Sequence, residues 1–446
     1  MNDQNLNNEN FNDEELDTQG AEQEEADSAE QEKEPMAEQG GDFGTAFVKK
    51  KARKVSKKKV LKIALISFTA FLLVIACLGA ALVIPLIQAY NRGYTKVPIV
   101  SGPGSYEIPT LIIDTNLPDT VEPETLGPGE TASPETEEPE VPETEYIPPN
   151  PIISTGISKV DQIDSDVINI LLVGTNSRSL TSLSGRSDSM IVCSLNKRTG
   201  DIKLISLMRD TLVPIAGIGE NGSTKWNRLN ATFAYGGVSL CINTVNWLFG
   251  LDIQKFVIVN FDGAKNLVNA CGGVDLALTD EGANNEVDYI LSMGNTVTKN
   301  DDGTYHLDGA AALTHMRQRK GSSDFKRTER QRKVITAVFN QVMASKSPTQ
   351  IYNLVEECFN MIKTNITLSE MMELASYVIS NGGGTSIGSH RLPTKYSSIY
   401  FNFNLQKQVQ KGQVDENGNK ILASSVLWID LDYEKNQILK TIYGKK

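Results

Sequence analysis

Val167-Ile168-Asn169-Ile170-Leu171-Leu172-Val173-Gly174 is a nearly unbroken apolar run that stops at a glycine. A run of this kind reads as a strand buried on both faces, in the middle of a sheet layered by helices. Met190–Leu195 and Ile202–Leu207 flank the turn-like Asn196–Asp201 and read as an antiparallel pair. Phe256–Phe261 supplies another core strand, and Val426–Asp430 a last one. Between and after them lie helical signals. Ser347-Pro348 fits an N-cap with proline in the first turn, followed at helical spacing by Ile351, Leu354, Val355, Cys358, Phe359 and Ile362. Thr367 with Glu370 forms a capping box whose helix should end at Asn381-Gly382, and Tyr433–Ile442 reads as a final short helix. Strands and helices intermixed in this way predict one α/β domain over residues 161–446, a three-layer α/β/α with a central mixed sheet.

Outward from this domain the chain changes character. Its 446 residues carry 43 Lys and Arg against 55 Asp and Glu, a net charge of −12, but the charge is segregated. Residues 1–48 hold 15 acids and one Lys, 49–96 hold 11 bases and no acid, and 97–156 hold 12 acids and no base. Residues 157–446 balance 31 bases against 28 acids, so the acidic character belongs to the flanks and excludes nothing about what the domain binds.

The acidic 1–48 lacks the apolar content to offset chain entropy and is expected to be a disordered tail. Residues 49–62 are a basic segment, and Ile63 to Ile87 contain no charge at all. At about 1.5 Å per residue that run spans a hydrocarbon core of about 30 Å, predicting a transmembrane helix over 63–90. Positive charge before the span keeps the N-terminus in the cytoplasm and the domain outside. A cleaved signal peptide is the rival, but its apolar core runs to only about 7–15 residues. The stretch Val74-Ile75-Ala76-Cys77 resembles a lipoprotein cleavage box, yet apolar sequence continues well past Cys77. Residues 91–160, rich in Pro, Glu and Thr, read as a stiff extracytoplasmic stalk.

Several chemistries are excluded by what the domain lacks. Cys193, Cys241, Cys271 and Cys358 show no CxxC spacing and each sits among apolar residues, the setting of a small buried hydrophobe; a disulfide among them stays open. The three histidines, His306, His315 and His390, form no zinc signature, and there is no phosphate-binding GxxxxGK[ST] loop.

The densest unusual feature is Arg317–Lys333, where eight of 17 residues are basic and arginine dominates. Guanidinium forks grip phosphate oxygens in pairs, so the run is either a solvated helix face, a nucleic-acid patch or a phosphate clamp. An extracytoplasmic location and a single interleaved aromatic, Phe325, argue against nucleic acid. Gly174–Arg178 follows the first strand, Gly185–Met190 precedes the second, and Met208-Arg209-Asp210-Thr211 follows the third. Ligands of open α/β sheets bind at the carboxyl ends of strands, where Asn176 and Asp188 should lie. Together these elements predict a polyanion site with a hard cation, Mg²⁺ or Mn²⁺, on carboxylate and amide oxygens.

Taken in order, Asn169–Arg178, Gly185–Asn196, Ile205–Thr211, Arg228–Gly237, Gly272–Leu276 and Leu307–Arg332 resemble the LytR–CpsA–Psr family, most strongly over 165–340. The resemblance implies a bacterial cell-envelope phosphotransferase, and with it pyrophosphatase activity. Such an enzyme moves an anionic glycopolymer, teichoic acid or capsule, from an undecaprenyl-pyrophosphate carrier to a sugar hydroxyl of peptidoglycan. It also implies an apolar tunnel for the lipid, with arginines at its mouth. Matched motif by motif, Arg186, Arg209, Arg228, Arg317, Arg319, Arg327 and Gln331 would hold the pyrophosphate. Asp188 and Asn176 would form the metal site, and Asp324 would orient arginines or act as a base. Asp188, Arg209, Arg317, Arg319 and Asp324 would carry the catalysis. Two positions depart from the family pattern: Asn176, where an Asp is usual, and Arg228, where a Lys is common. An amide oxygen still ligates Mg²⁺ but brings no charge, which leaves open a non-catalytic receptor for polyprenyl phosphates.

Overall fold

The computed structural model describes residues 83–100, 108–111, 156–177, 180, 187–282, 285–319, 323–344, 356, 358–380 and 386–444. The expected acidic tail, the basic segment and most of the expected span lie outside these residues. Among the described residues no helix is long and apolar enough to cross a membrane.

Six strands form the central sheet: β1 (Val167–Thr175), β2 (Ser187–Asn196), β3 (Ile202–Leu207), β4 (Lys255–Asn260), β5 (Ile362–Thr364) and β6 (Ile387–Leu392). Their order is β5-β4-β1-β2-β3-β6. The β4–β1 and β3–β6 pairs are parallel and the other three antiparallel, so β1, β3, β4 and β6 run one way and β2 and β5 the other. The sheet is mixed, as the strand pattern predicts, and β2–β3 is the expected hairpin around Asn196–Asp201.

Alternation along the strands explains how helices cover both faces. On one side Leu171, Val173, Val192, Ile205 and Leu207 pack against Val245 and Leu248 of α1 (Ala231–Phe249) and Ile438 and Ile442 of α6 (Leu431–Tyr443). On the other, Ile191, Leu195, Ile202 and Leu204 meet Ile335, Phe339 and Met343 of α4 (Asp324–Ala344) and Leu374 of α5 (Leu368–Ser380). Between them in sequence, α2 (Phe261–Ala270) follows β4 directly and α3 (Gly309–Arg317) leads into α4.

Some local readings hold and others shift. The capping box is present: Thr367 Oγ1 accepts from Glu370 N at 3.3 Å, and Glu370 Oε2 accepts from Thr367 N at 2.8 Å. The final helix spans Leu431–Tyr443, close to its expected bounds. The predicted helix after Ser347-Pro348 lies largely outside the described residues, and its last member, Ile362, instead opens β5. There the backbone switches to the ladder because Ile362–Thr364 completes the sheet edge beside Val257–Val259. The end expected at Asn381-Gly382 lies outside the described residues. Cys193, Cys241, Cys271 and Cys358 are all unbridged, and burial pushes the Cys193 thiol up to about 12 and that of Cys241 up to about 11.

Parts of the stretch read as a stalk belong to the fold. Ile99-Val100 pairs in parallel with Ile157-Ser158, with Ile157 N donating to Pro98 O and Lys159 N to Val100 O, both at 2.9 Å. Ile157 is fully buried in the main core. Trp226 Nε1 donates to Pro109 O at 3.1 Å, and Leu111 packs on the aromatic cluster around Trp226.

Candidate functional site

The strand directions decide where the chemistry gathers. The carboxyl ends of β1, β3, β4 and β6 and the amino end of β2 share one rim of the sheet, since Thr175 is paired with both Ser187 and Asn260 and Leu207 with Met190 and Leu392. Asp188 stands at the start of β2, Arg209 just past β3, and Asp324 and Arg327 in the first turn of α4.

Arg209 is the centre of the cluster. Its Nη1 lies 3.6 Å from Asp188 Oδ1, its Nη2 3.8 Å from Asp324 Oδ1 and its Nε 3.2 Å from Asp210 Oδ2. Burial works against this charge, but Asp210, Asp324 and Asp188 outweigh it and hold the guanidinium above its ordinary value. Arg327, 5% exposed, donates from Nη2 to Asp324 Oδ1 at 2.6 Å and to the Asp188 carbonyl at 3.3 Å. Burial lowers the pKa of Arg327 despite the attraction of Asp324. Burial also raises that of Asp324, against the pull of Arg327 and Arg209. Asp324 thus has one carboxylate oxygen committed to arginines, while its Oδ2 is buried with no hydrogen-bond partner among the described residues.

A cleft of about 180 Å³ opens at this cluster, lined by Arg209, Gln318, Arg319, Ser323, Asp324 and Arg327. Arg319 is exposed at its edge, and Arg317 is exposed nearby, its guanidinium stacked over the Phe261 ring at 4.5 Å. Gln331, one turn beyond Arg327 on α4, has its Oε1 buried with no hydrogen-bond partner among the described residues. Arg228 sits one carboxylate further out, with Nε 3.3 Å from Asp210 Oδ1 and its guanidinium over Phe403. Asn176 is exposed immediately past β1. Arg186 lies outside the described residues. A larger cavity of about 290 Å³ between β6 and α6 contains none of the predicted site residues.

The arginine run divides. Arg330 Nε donates to Glu286 Oε1 at 2.6 Å and Nη1 to the Gln318 carbonyl, and Arg332 donates to Ser389 and Ser206. Both are buried props of the fold rather than cleft residues. Lys333 pairs with Glu329 on the solvent face. Asp210, Gln318, Ser323 and Phe261 were missed as site members by the sequence reading. Asp210 had a signal, being adjacent to Arg209, and Gln318 and Ser323 had one in lying within the arginine run; Phe261 had none, because only the β4–α2 junction brings it in.

For a hard cation the donor chemistry fits at Asp188, whose carboxylate makes a loose ion pair with Arg209 at 3.6 Å, with the Asn176 amide at the end of the adjoining strand. Among the described residues no three acidic, histidine or cysteine side chains gather as a metal cage. Mg²⁺ is a cation that one or two carboxylates can hold, its remaining positions filled by water and phosphate oxygens.

The family model described as LytR_cpsA_psr matches residues 143–421. The chain belongs to the LytR–CpsA–Psr family. Among curated relatives, it is 31% identical over 223 residues to the polyisoprenyl-teichoic acid–peptidoglycan teichoic acid transferase TagU of Bacillus mycoides strain KBAB4, covering 50% of this chain and 67% of that one. The corresponding transferase TagV of Bacillus subtilis strain 168 is 31% identical over 209 residues, covering 46% and 51%. Among solved structures, B. subtilis TagV aligns at 24% identity with a TM-score of 0.46, over 63% of this chain and 98% of that one. TagT bound to LIIa-WTA aligns at 23% identity with a TM-score of 0.46, over 64% and 94%. LytR–CpsA–Psr membership thus rests on sequence, and the relatives' names describe transfer of teichoic acid to peptidoglycan.

Proposed function

We propose that this protein is a membrane-anchored phosphotransferase that moves an anionic glycopolymer from an undecaprenyl-pyrophosphate carrier to peptidoglycan, its N-terminus in the cytoplasm and its folded domain outside. The observation that carries the reading is the convergence of Arg209, Arg319, Arg327 and Asp324 around one cleft, with Asp188 ion-paired to Arg209 beside it, in a chain whose relatives are named polyisoprenyl-teichoic acid–peptidoglycan teichoic acid transferases.

Transfer of a phosphoryl group needs in-line positioning and neutralisation of charge on the phosphate oxygens. Arg209, Arg327, Arg319 and Arg317, with Gln331 and Arg186, are the proposed donors to the pyrophosphate, and Arg228 supports them through Asp210. A sugar hydroxyl oxygen of peptidoglycan attacks the polymer-bearing phosphorus. The bond from that phosphorus to the bridging oxygen breaks, and the lipid monophosphate leaves with the electron pair. The hydroxyl proton passes to Asp324, whose raised pKa suits a proton acceptor that is also tied to arginines. Mg²⁺ held by Asp188 and Asn176 would add charge neutralisation at the phosphate oxygens when bound. Water in place of the sugar gives the pyrophosphatase reaction.

The test is turnover by the full-length protein with lipid-pyrophosphate-linked polymer and Mg²⁺. Release of lipid monophosphate that disappears in Arg209→Ala and Asp188→Ala supports the enzyme. Asn176, lacking the charge of the usual Asp, favours the second reading, a receptor for polyprenyl phosphates. Tight donor binding without release would establish that reading instead.

A further inference from the structure

Residues 83–93 form a helix with two unlike sides. Val83, Ile84 and Ile87 are 50, 52 and 43% exposed, whereas Ala89 is fully buried. These exposed apolar side chains directly continue the uncharged run that starts at Ile63. A patch with that continuity fits a bilayer boundary.

The other end of this helix is fastened to the sheet. Tyr90 meets Phe359 edge-on at 5.3 Å, and Lys363 Nζ donates to the Arg92 carbonyl. Gly93 lies so close that a Cβ there would come within 2.5 Å of the Phe359 carbonyl oxygen. This attachment is at the rim that carries the site. Ile362 is paired with Val259, one residue short of the end of β4, and the Met361 carbonyl packs against Gly263 in the first turn of α2. Phe261, in the same turn, lies under Arg317.

From the rim the chain runs down the open edge of β5. Tyr94 bridges Thr364 in parallel and Thr95 N donates to the Thr364 carbonyl at 2.6 Å. It then pairs at Ile99-Val100 with Ile157-Ser158. Asn243 of α1 secures the returning strand, accepting from Ser158 N at 2.8 Å and donating to the Gly156 carbonyl at 3.0 Å. A Cβ at Gly156 would come within 2.5 Å of the Pro98 carbonyl oxygen, so the two strands are in close apposition. The chain is therefore part of the folded unit at Leu111, beside Trp226, and again from Gly156 onward.

We propose that residues 83–100 seat the folded unit directly on the bilayer with the arginine-bearing rim toward the lipid, and that the Pro/Glu/Thr-rich stretch adds no distance between membrane and site. The proposal rests on the reading of the protein as anchored and acting on a lipid-borne donor. It makes the arginines reach a headgroup at the surface rather than across a spacer.

Energy transfer in the full-length protein tests it. Phosphatidylglycerol–phosphatidylethanolamine nanodiscs would carry an acceptor dye on the headgroups. A fluorescent amino acid is placed either at Asp262, exposed on the rim, or at Arg198, exposed in the β2–β3 turn at the opposite end. The ten-residue β2 separates these ends by about 30 Å at about 3.3 Å per residue. Transfer several-fold stronger from Asp262 than from Arg198, and unchanged when residues 115–150 are deleted, is the expected result. Equal or reversed transfer, or a rise at both positions on deletion, overturns the proposal. Donor cleavage is followed in the same samples. Loss of cleavage with the transfer pattern intact would sink the enzymatic reading alone, and cleavage with a reversed pattern would sink the seating alone.

Discussion

Asp210 is held between two guanidinium groups, Arg209 Nε on one oxygen and Arg228 Nε on the other. It fixes the edge of Arg209 that faces away from Asp188 and Asp324, leaving Nη1 and Nη2 directed at those two. Asp210→Asn keeps the shape but removes the charge on both sides, so kcat should fall about tenfold, the worth of one charge-assisted hydrogen bond. Steady-state kinetics on the lipid-linked donor check this, and an unchanged kcat contradicts it. Asp324 gives a stability prediction with a definite sign. Burial lifts its pKa above the unfolded value, so its contribution is complete only below about pH 4 and is lost as pH climbs through the raised folded value. Asp324→Asn abolishes that loss. The variant's denaturant midpoint should therefore gain on the wild type as pH is raised from about 4. A gap that narrows over this range is incompatible with the assigned cause.

Helix α4 illustrates how far an element can be read from its letters. That Arg317–Lys333 would be chemically distinctive was visible in composition. Its division into cleft, prop and solvent faces was not, because each residue turns about 100° around an axis whose orientation only the packed sheet defines. Hence Arg327 meets Asp324 and Asp188, Arg330 meets Glu286, and Arg332 meets Ser206 and Ser389. Strands β1 to β4 were legible because apolar runs that fill a core carry their own signal, whereas β6, Ile387-Gly388-Ser389-His390-Arg391-Leu392, carries no such run and was not read. Nor was three-residue β5, since Ile362-Lys363-Thr364 is a strand only by virtue of its neighbour. The same holds for Ile99-Val100 and Ile157-Ser158, short apolar ends hidden inside a long Pro/Glu/Thr average. Helix α3 supplies the next prediction. His315 is 1% exposed, and neither ring nitrogen has a hydrogen-bond partner among the described residues. Burial pushes it down to about 4 against the pull of Glu286, with Arg330 and Lys333 adding to the lowering. The neutral ring supports the fold above about pH 6.5, and this support is lost as pH falls toward 4, by about 3 kcal/mol at most. His315→Leu should flatten that acid loss in denaturant titrations at about pH 7 and about pH 4.5. At the start of α5, Thr367→Ala removes the capping hydroxyl and should cost about 1 kcal/mol, read from the urea midpoint.

At the scale of the whole molecule, charge is arranged so that bulk acidity and local affinity have opposite signs. The net charge of −12 comes from stretches outside the near-neutral 157–446, and within that part the cleft gathers arginines on one rim of the sheet. Mutual screening decides which of these charges matter to a diphosphate. Over a Debye length of about 8 Å at physiological salt, acids that the proposed topology puts across the membrane are largely invisible to the cleft, while Arg319 and Arg317 are exposed enough to be screened themselves. Arg327, 5% exposed and hydrogen-bonded to Asp324, is sheltered from salt. Removing residues 1–48, which takes away 15 acids and one Lys, should therefore leave pyrophosphate binding unchanged although the isoelectric point rises. Raising salt from about 0.05 M to about 0.5 M should weaken it several-fold. Arg319→Ala should lose part of that salt response along with affinity, and Arg327→Ala should lose affinity while keeping the response. Calorimetric titration with inorganic pyrophosphate and Mg²⁺ distinguishes the two. Equal salt slopes in both variants would mean that the exposed and buried arginines do not divide the work between long-range attraction and close contact.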